Sequence, residues 1–263
     1  MIGIFDSGIG GITVLRALHS RMPNLPMVYF ADFEYCPYGG RSEKDIFHRS
    51  ASIIRWMKNQ GVSLVVVACH TSSSVLNDHT LDTMGIPIVT MLDPTVRSVM
   101  HRAQTESWKQ GVGLIATELS IQKGSLVKRM QSSGFSLPIH AIACPYLAPL
   151  IESCQWTAAI DHLAQHAFPF FQSHPVDALI YGCTHYPFID SWIRPEHGCP
   201  LRLDPAHAVT DDVLKRVHSH TLVTTPSTEP LSFFYTGMMD HGAERLKNHW
   251  GENLRSQHVF LNT

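Results

Sequence analysis

The sequence predicts an α/β fold built on parallel sheets. Three observations carry that expectation. Apolar, β-rich runs recur along the chain. Several are continuous Val/Ile/Leu stretches without polar alternation. Segments able to form helical stripes lie between them. A strand buried on both faces reads as an unbroken apolar run, and helices then cover both faces of its sheet. Alternation of strand and helix is the pattern of the α/β class.

In chain order, the first strand is 2–5, Ile2-Gly3-Ile4-Phe5, followed by a glycine-rich turn and a helical stripe at 13–22. A second strand at 27–31 leads through Pro37-Tyr38-Gly39-Gly40 to a long helix at 43–59. The run 64–69 ends in Cys69. A strand at 86–91 precedes a helix at 95–103. Strands at 111–116 and 139–144 follow, then a helix at 163–171, then strands at 178–183, 201–203 and 232–235. Asp93-Pro94 and Asp204-Pro205 follow strands, and proline after an acid can open a helix at its first position. Cutting there predicts two domains: 1–92 plus 205–263 as a discontinuous first domain, and 93–204 as a second of typical size.

The 263 residues are 44% hydrophobic and 16% charged, with a formal net charge of -2, which predicts an ordinary globular chain. Without a basic block, nucleic acid is not an expected partner. No apolar run approaches the roughly 20 residues of a membrane span, so no membrane partner is expected either. The start, Met1-Ile2-Gly3-Ile4, has no basic leader and reads as a strand, which makes the cytoplasm the expected compartment. Six scattered cysteines, Cys36, Cys69, Cys144, Cys154, Cys183 and Cys199, do not form a disulfide framework pattern.

Two segments echo each other: Val66-Val67-Ala68-Cys69-His70-Thr71 and Ile180-Tyr181-Gly182-Cys183-Thr184-His185. Each is a strand ending in a cysteine beside Thr and His. A buried cysteine is ordinarily packing material. One at the polar mouth of a strand, beside groups that share protons, is a candidate acid or base. Strand ends are also where ligands gather in open α/β sheets. No C-x-x-C or H-x-x-x-H pairing accompanies them, so no metal is expected. The loop Asp6-Ser7-Gly8-Ile9-Gly10-Gly11 lets backbone approach a ligand closely. Its spacing nearly matches a dinucleotide fingerprint, with Asp32 near the ribose-binding position. Asp6 at the entrance repels phosphate, which favours proton handling or amine binding. A plain turn, with Asp6 or Ser7 capping the helix, is the structural alternative. Pro37-Tyr38-Gly39-Gly40 reads as a rigid turn presenting a phenol.

Taken together, these stretches resemble the cofactor-independent aspartate/glutamate racemase family, and within it the glutamate racemases. The matching residues are the opening from Ile2 to Leu15, Pro37-Tyr38-Gly39, Ala68-Cys69-x-Thr71, Ala143-Cys144-Pro145 through Glu152, Gly182-Cys183-Thr184-His185-Tyr186-Pro187, and Phe234-Tyr235-Thr236-Gly237. The resemblance spans nearly the whole chain. It implies two similar α/β domains, each a mainly parallel sheet flanked by helices, facing each other across a central cleft. It implies Cys69 and Cys183 as the acid/base pair, Asp6 assisting Cys69, and Glu152 and His185 assisting Cys183. It implies that Ser7, Pro37, Tyr38, Gly39, His70, Thr71, Thr117, Ser120 and Thr184 hold the substrate, glutamate. No cofactor is expected. D-Glutamate for bacterial peptidoglycan is the implied product, and a homodimer is among the expected states. Inverting a stereocentre needs a base on one face and an acid on the other, which two thiols can supply.

Three features depart from the family: His70, the stretch Ile115 to Ser120, and Leu126, which stands where the family often has Tyr. His70 stands where the family has Asn, and as a cation it would lower the Cys69 pKa. Ala116-Thr117-Glu118-Leu119-Ser120 stands for Gly-Thr-Pro-Ala-Thr. These leave open a relative acting on another acidic amino acid such as aspartate, or a nonenzymatic binding protein. The glycine loop leaves open a dehydrogenase.

Overall fold

The computed structural model describes residues 1–76, 78–197, 201–219, 231–237, 239–251 and 254–261. Among the described residues, ten strands form two sheets. The first contains β1 (Ile2–Asp6), β2 (Met27–Ala31), β3 (Leu64–Val67), β4 (Ile88–Thr90), β9 (Leu231–Tyr235) and β10 (Ser256–His258), in the order β10-β9-β2-β1-β3-β4. The second contains β5 (Val112–Ala116), β6 (Ile139–Ala143), β7 (Ala178–Gly182) and β8 (Leu201–Leu203), in the order β6-β5-β7-β8. Every strand pairing is parallel. The central strands β1, β3, β5 and β7 are buried along their whole length, which is why they carry unbroken apolar runs.

Each sheet is covered on both faces. On one face of the first, α1 (Ile12–Arg21) and α11 (Pro205–His218) bury Ile12, Leu15, Leu18, Val209 and Val213. On the other, α2 (Glu43–Asn59) buries Ile53, Ile54 and Met57, at about 1.5–3 kcal/mol each. Ser42 starts α2 by accepting from the Asp45 amide at 3.1 Å. The second sheet lies between α5 (Leu92–Thr105) with α7 (Ser125–Ser132) on one face, and α8 (Leu147–Glu152), α9 (Trp156–Gln165) and α10 (Ala167–Ser173) on the other.

Several elements differ from expectation. The helix expected at 163–171 breaks at His166, with α9 before it and α10 after it. Pro169 explains this: inside one continuous helix it would lack an amide and clash with the preceding turn, whereas it fits the first turn of a new helix. Pro205 does open α11, with Asp204 as its cap. Pro94 instead sits third in α5, because that helix begins two residues earlier. The strands leading to Cys69 and Cys183 stop short of both, leaving the sulfurs on the turns that follow. β10 is three polar residues and had no apolar run to announce it. The five described cysteines are free thiols, and Cys199 lies outside the described residues. No described helix is long and apolar enough to cross a membrane.

Candidate active site

The carboxyl ends of β1, β2, β3, β5 and β7 converge on one pocket. Its lining includes Ser7, Pro37, Tyr38, Gly39, Cys69, His70, Thr71, Thr117, Cys183, Thr184 and His185. Ten strands in parallel sheets place their loops at such ends, so residues from both halves meet there. Thr71 and Thr117, one from each half, bond directly to each other at 3.0 Å.

The Cys183 side is a chain of charges. His185 Nδ1 lies 3.6 Å from the Cys183 sulfur, and Nε2 lies 2.6 Å from Glu152 Oε2. Both residues are buried. Burial works against a charge on His185, but its bonds to Cys183 and Glu152 outweigh it and hold the imidazolium well above its usual range. Burial likewise opposes ionised Glu152, yet the bond from His185, the Ile9 amide and a nearby Arg245 keep it below the usual carboxylate range. Glu152 is the last residue of α8 and enters the site through the glycine loop: Ile9 N–H donates to Oε2 at 3.0 Å. A Cβ on Gly8 would stand 2.2 Å from that oxygen, and one on Gly10 would stand 2.5 Å from His185 Nδ1. The loop is glycine-rich so that the other half's carboxylate and imidazole can reach it. The anion it receives is the protein's own.

The Cys69 side carries no such chain. Cys69 caps α3 (His70–Val75) and is buried. Burial, then the Asp6 carboxylate, push its thiol up to about 12, while the amide and hydroxyl of Ser72 counter part of this. His70 is also buried, and burial pushes it down to about 3. It is neutral at pH 7, so the expected cationic influence on Cys69 does not arise. Its Nε2 makes no hydrogen bond among the described residues.

Three of the sequence-predicted residues stand behind the lining. Asp6 accepts from the Gly8 amide at 3.0 Å and from Thr184 at 2.9 Å. Burial raises its pKa, with His185 pulling the other way. It caps no helix, since α1 begins at Ile12 after Gly11 without a side-chain cap. Ser120 meets Thr117 at 2.9 Å. Glu152 reaches the pocket only through His185. Tyr38 differs from expectation. Its ring lines the pocket, but its hydroxyl points away and donates to Asp32 at 2.5 Å. Asp32 also accepts from Arg49 Nε at 2.8 Å, from Arg49 Nη2 at 2.6 Å and from Thr236 at 2.5 Å. It is fully buried and its oxygens are occupied. That removes the ribose-binding role and, with the loop filled by Glu152, the dehydrogenase reading. Sequence reasoning missed Glu118, Pro145, Ala148 and Pro149 in the lining and Ser72 at the sulfur. The row of hydroxyls after Cys69 was the available signal for Ser72.

This geometry has known counterparts. A glutamate racemase of Picosynechococcus sp. is 31% identical over 264 aligned residues, covering 99% of this chain and 92% of that protein. A solved glutamate racemase isoform from Bacillus anthracis matches with a TM-score of 0.87 at 26% identity, over 99% of this chain and 97% of that one. A glutamate racemase from Thermus thermophilus, solved with β-chloro-D-alanine, matches at 0.80 and 28%, over 99% and 96%. The Asp/Glu/Hydantoin racemase pattern matches residues 12–213, and the chain belongs to that family.

Proposed function

We propose that this chain racemises glutamate by moving a proton between Cys69 and Cys183 across the α-carbon, without a cofactor. One observation carries the reading: two thiols, one from the end of each sheet, line a single pocket. In one direction a thiolate removes the α-proton and the opposite thiol protonates the other face. The spent pair is then poised for the reverse reaction. His185, held as the imidazolium by Glu152, favours the thiolate at Cys183. Cys69, pushed up to about 12, is the proton donor of that resting state. Asp6 acts on both sides, through its field on Cys69 and through Thr184. The carbanion-like state needs fixed donors; Ser7, Thr71 and Thr117 line the site for it, with Ser120 orienting Thr117, while the Thr184 hydroxyl donates to Asp6 and offers the substrate an acceptor oxygen. Pro37, Tyr38, Gly39 and His70 shape the remaining wall around the substrate.

The same reading takes 1–92 with 205–263 and 93–204 as the two domains that bring one thiol each. It places the enzyme in the bacterial cytoplasm, supplying D-glutamate for peptidoglycan and cell shape, with a homodimer as its assembly. Proton NMR of L- and D-glutamate in deuterated buffer tests it. Loss of the α-proton signal from both enantiomers, with appearance of the opposite one, is expected. Absence of exchange from either, with folded and reduced protein, overturns it.

A further inference from the structure

Glu152 has one oxygen without a hydrogen bond. Oε2 is occupied by His185 and the Ile9 amide, whereas Oε1 is buried and accepts no hydrogen bond among the described residues. A buried carboxylate oxygen left bare is costly unless a charge faces it. The group that faces it is Arg245, with Nη1 3.5 Å away. Arg245 belongs to α12 (Met239–Trp250), which is seated on the first sheet while Glu152 belongs to the second half. Three contacts fix that seat. Leu246 is fully buried in the first core. Gly242 meets the Tyr235 ring so closely that a Cβ would stand 2.3 Å from it. Arg16 of α1 bonds to the His249 carbonyl. The guanidinium itself rests over the Phe33 ring, 5.5 Å from its centroid. Arg245 does not line the pocket. Among the described residues, its contact route to the chemistry runs through Glu152 and His185.

We propose that Arg245 is a positioning residue for proton transfer: it covers the open oxygen of Glu152, holds that carboxylate against His185, and thereby sets the proton affinity of the Cys183 side. The proposal rests on the function stated above. The groups whose charge is felt with that of Glu152 come from every neighbouring element: Asp6 from β1, Tyr29 from β2, Cys36 after β2, Cys154 after α8, and His185 after β7. Arg245 is the cation that α12 adds to this set. Removing a cation raises the proton affinity of each group it faces. Arg245 is nearly half exposed, so water screens part of the effect.

The test compares Arg245→Met and Arg245→Lys with the native protein. Alkylation by iodoacetamide across pH, read peptide by peptide by mass spectrometry, follows Cys183 with Cys69 as internal control. In Arg245→Met the Cys183 midpoint is expected to move up by about 0.5–1 pH unit while Cys69 stays put. The kcat for glutamate is expected to fall about tenfold with KM within about twofold, and Arg245→Lys to restore most of both. An unchanged Cys183 midpoint overturns the proposal. So does an equal shift at both cysteines, which marks general loosening. Native protein that fails to exchange the α-proton of glutamate defeats the functional reading instead, and the alkylation profile still decides for or against Arg245.

Discussion

Beside Cys69 the histidine is neutral, and beside Cys183 it is charged. One sulfur sits beside a buried, uncharged His70 and a row of hydroxyls. The other sits at the head of a line running through His185 and Glu152 to Arg245. The two segments look alike as sequence, yet burial alone and burial beside ionisable partners drive their histidines in opposite directions. A racemase working in both directions needs its two thiols in different protonation states at any moment. In the reaction proposed above, the unequal walls supply that difference.

The sharpest way to break this comparison is to remove the sulfurs one at a time. Cys69→Ser and Cys183→Ser are each expected to lose racemisation by about a thousandfold or more. Each retains one base, so each should still exchange the α-proton of one enantiomer with deuterated solvent, and the two variants should choose opposite enantiomers. Exchange of the same enantiomer by both, read by NMR, would place the two walls on one face of the substrate. Next in size is the neutral wall. The folded His70 pKa of about 3 lies below the unfolded value near 6.5, so the unfolded chain takes up a proton first as pH falls. His70→Asn is therefore expected to lose roughly 3 kcal/mol less stability than native protein between pH 6.5 and 4, measured by urea unfolding.

The charged wall has the opposite sign. His185 is raised in the folded state, so its stabilisation is fully present below about pH 6.5 and is lost as pH rises through the folded value. His185→Asn should cost more stability at pH 6 than at pH 9 and lower kcat about a hundredfold. An equal cost at both pH values would show that the imidazolium is not held there. The smallest effect is at Asp6. Folding raises its pKa, so stability falls as pH climbs from the unfolded value through the folded one, and the full cost of the buried charge stands above it. Asp6→Asn should leave stability at pH 7 unchanged or higher by about 1 kcal/mol or less, while activity falls.

Much of this was legible in the sequence. The central strands declared themselves because both faces are buried, so Leu64 through Val67 could hold no polar residue. Both cysteines stood out because polar, proton-sharing residues follow directly after such runs. His185 was legible two residues after Cys183, whereas the role of Glu152 leaned on family resemblance, since it lies 33 residues from His185 and its loop contact at Ile9 lies 143 residues away. Arg245 gave no sign at all: it is one cation on an amphipathic helix, and only folding brings it to Glu152. The glycine loop misled for a related reason. Its backbone does receive an anion, but local spacing says nothing of whether that anion is a ligand or a distant side chain of the same chain.

The Asp32 carboxylate joins a late stretch of the chain to an early one. Thr236, just past β9, and Tyr38, in the wall, hang on the same two oxygens. Whatever peels that late strand away withdraws a peg from beneath the tyrosine ring. A protease cut there should therefore silence turnover while most of the helical signal survives, making this late stretch a maintenance point for a pocket it does not line.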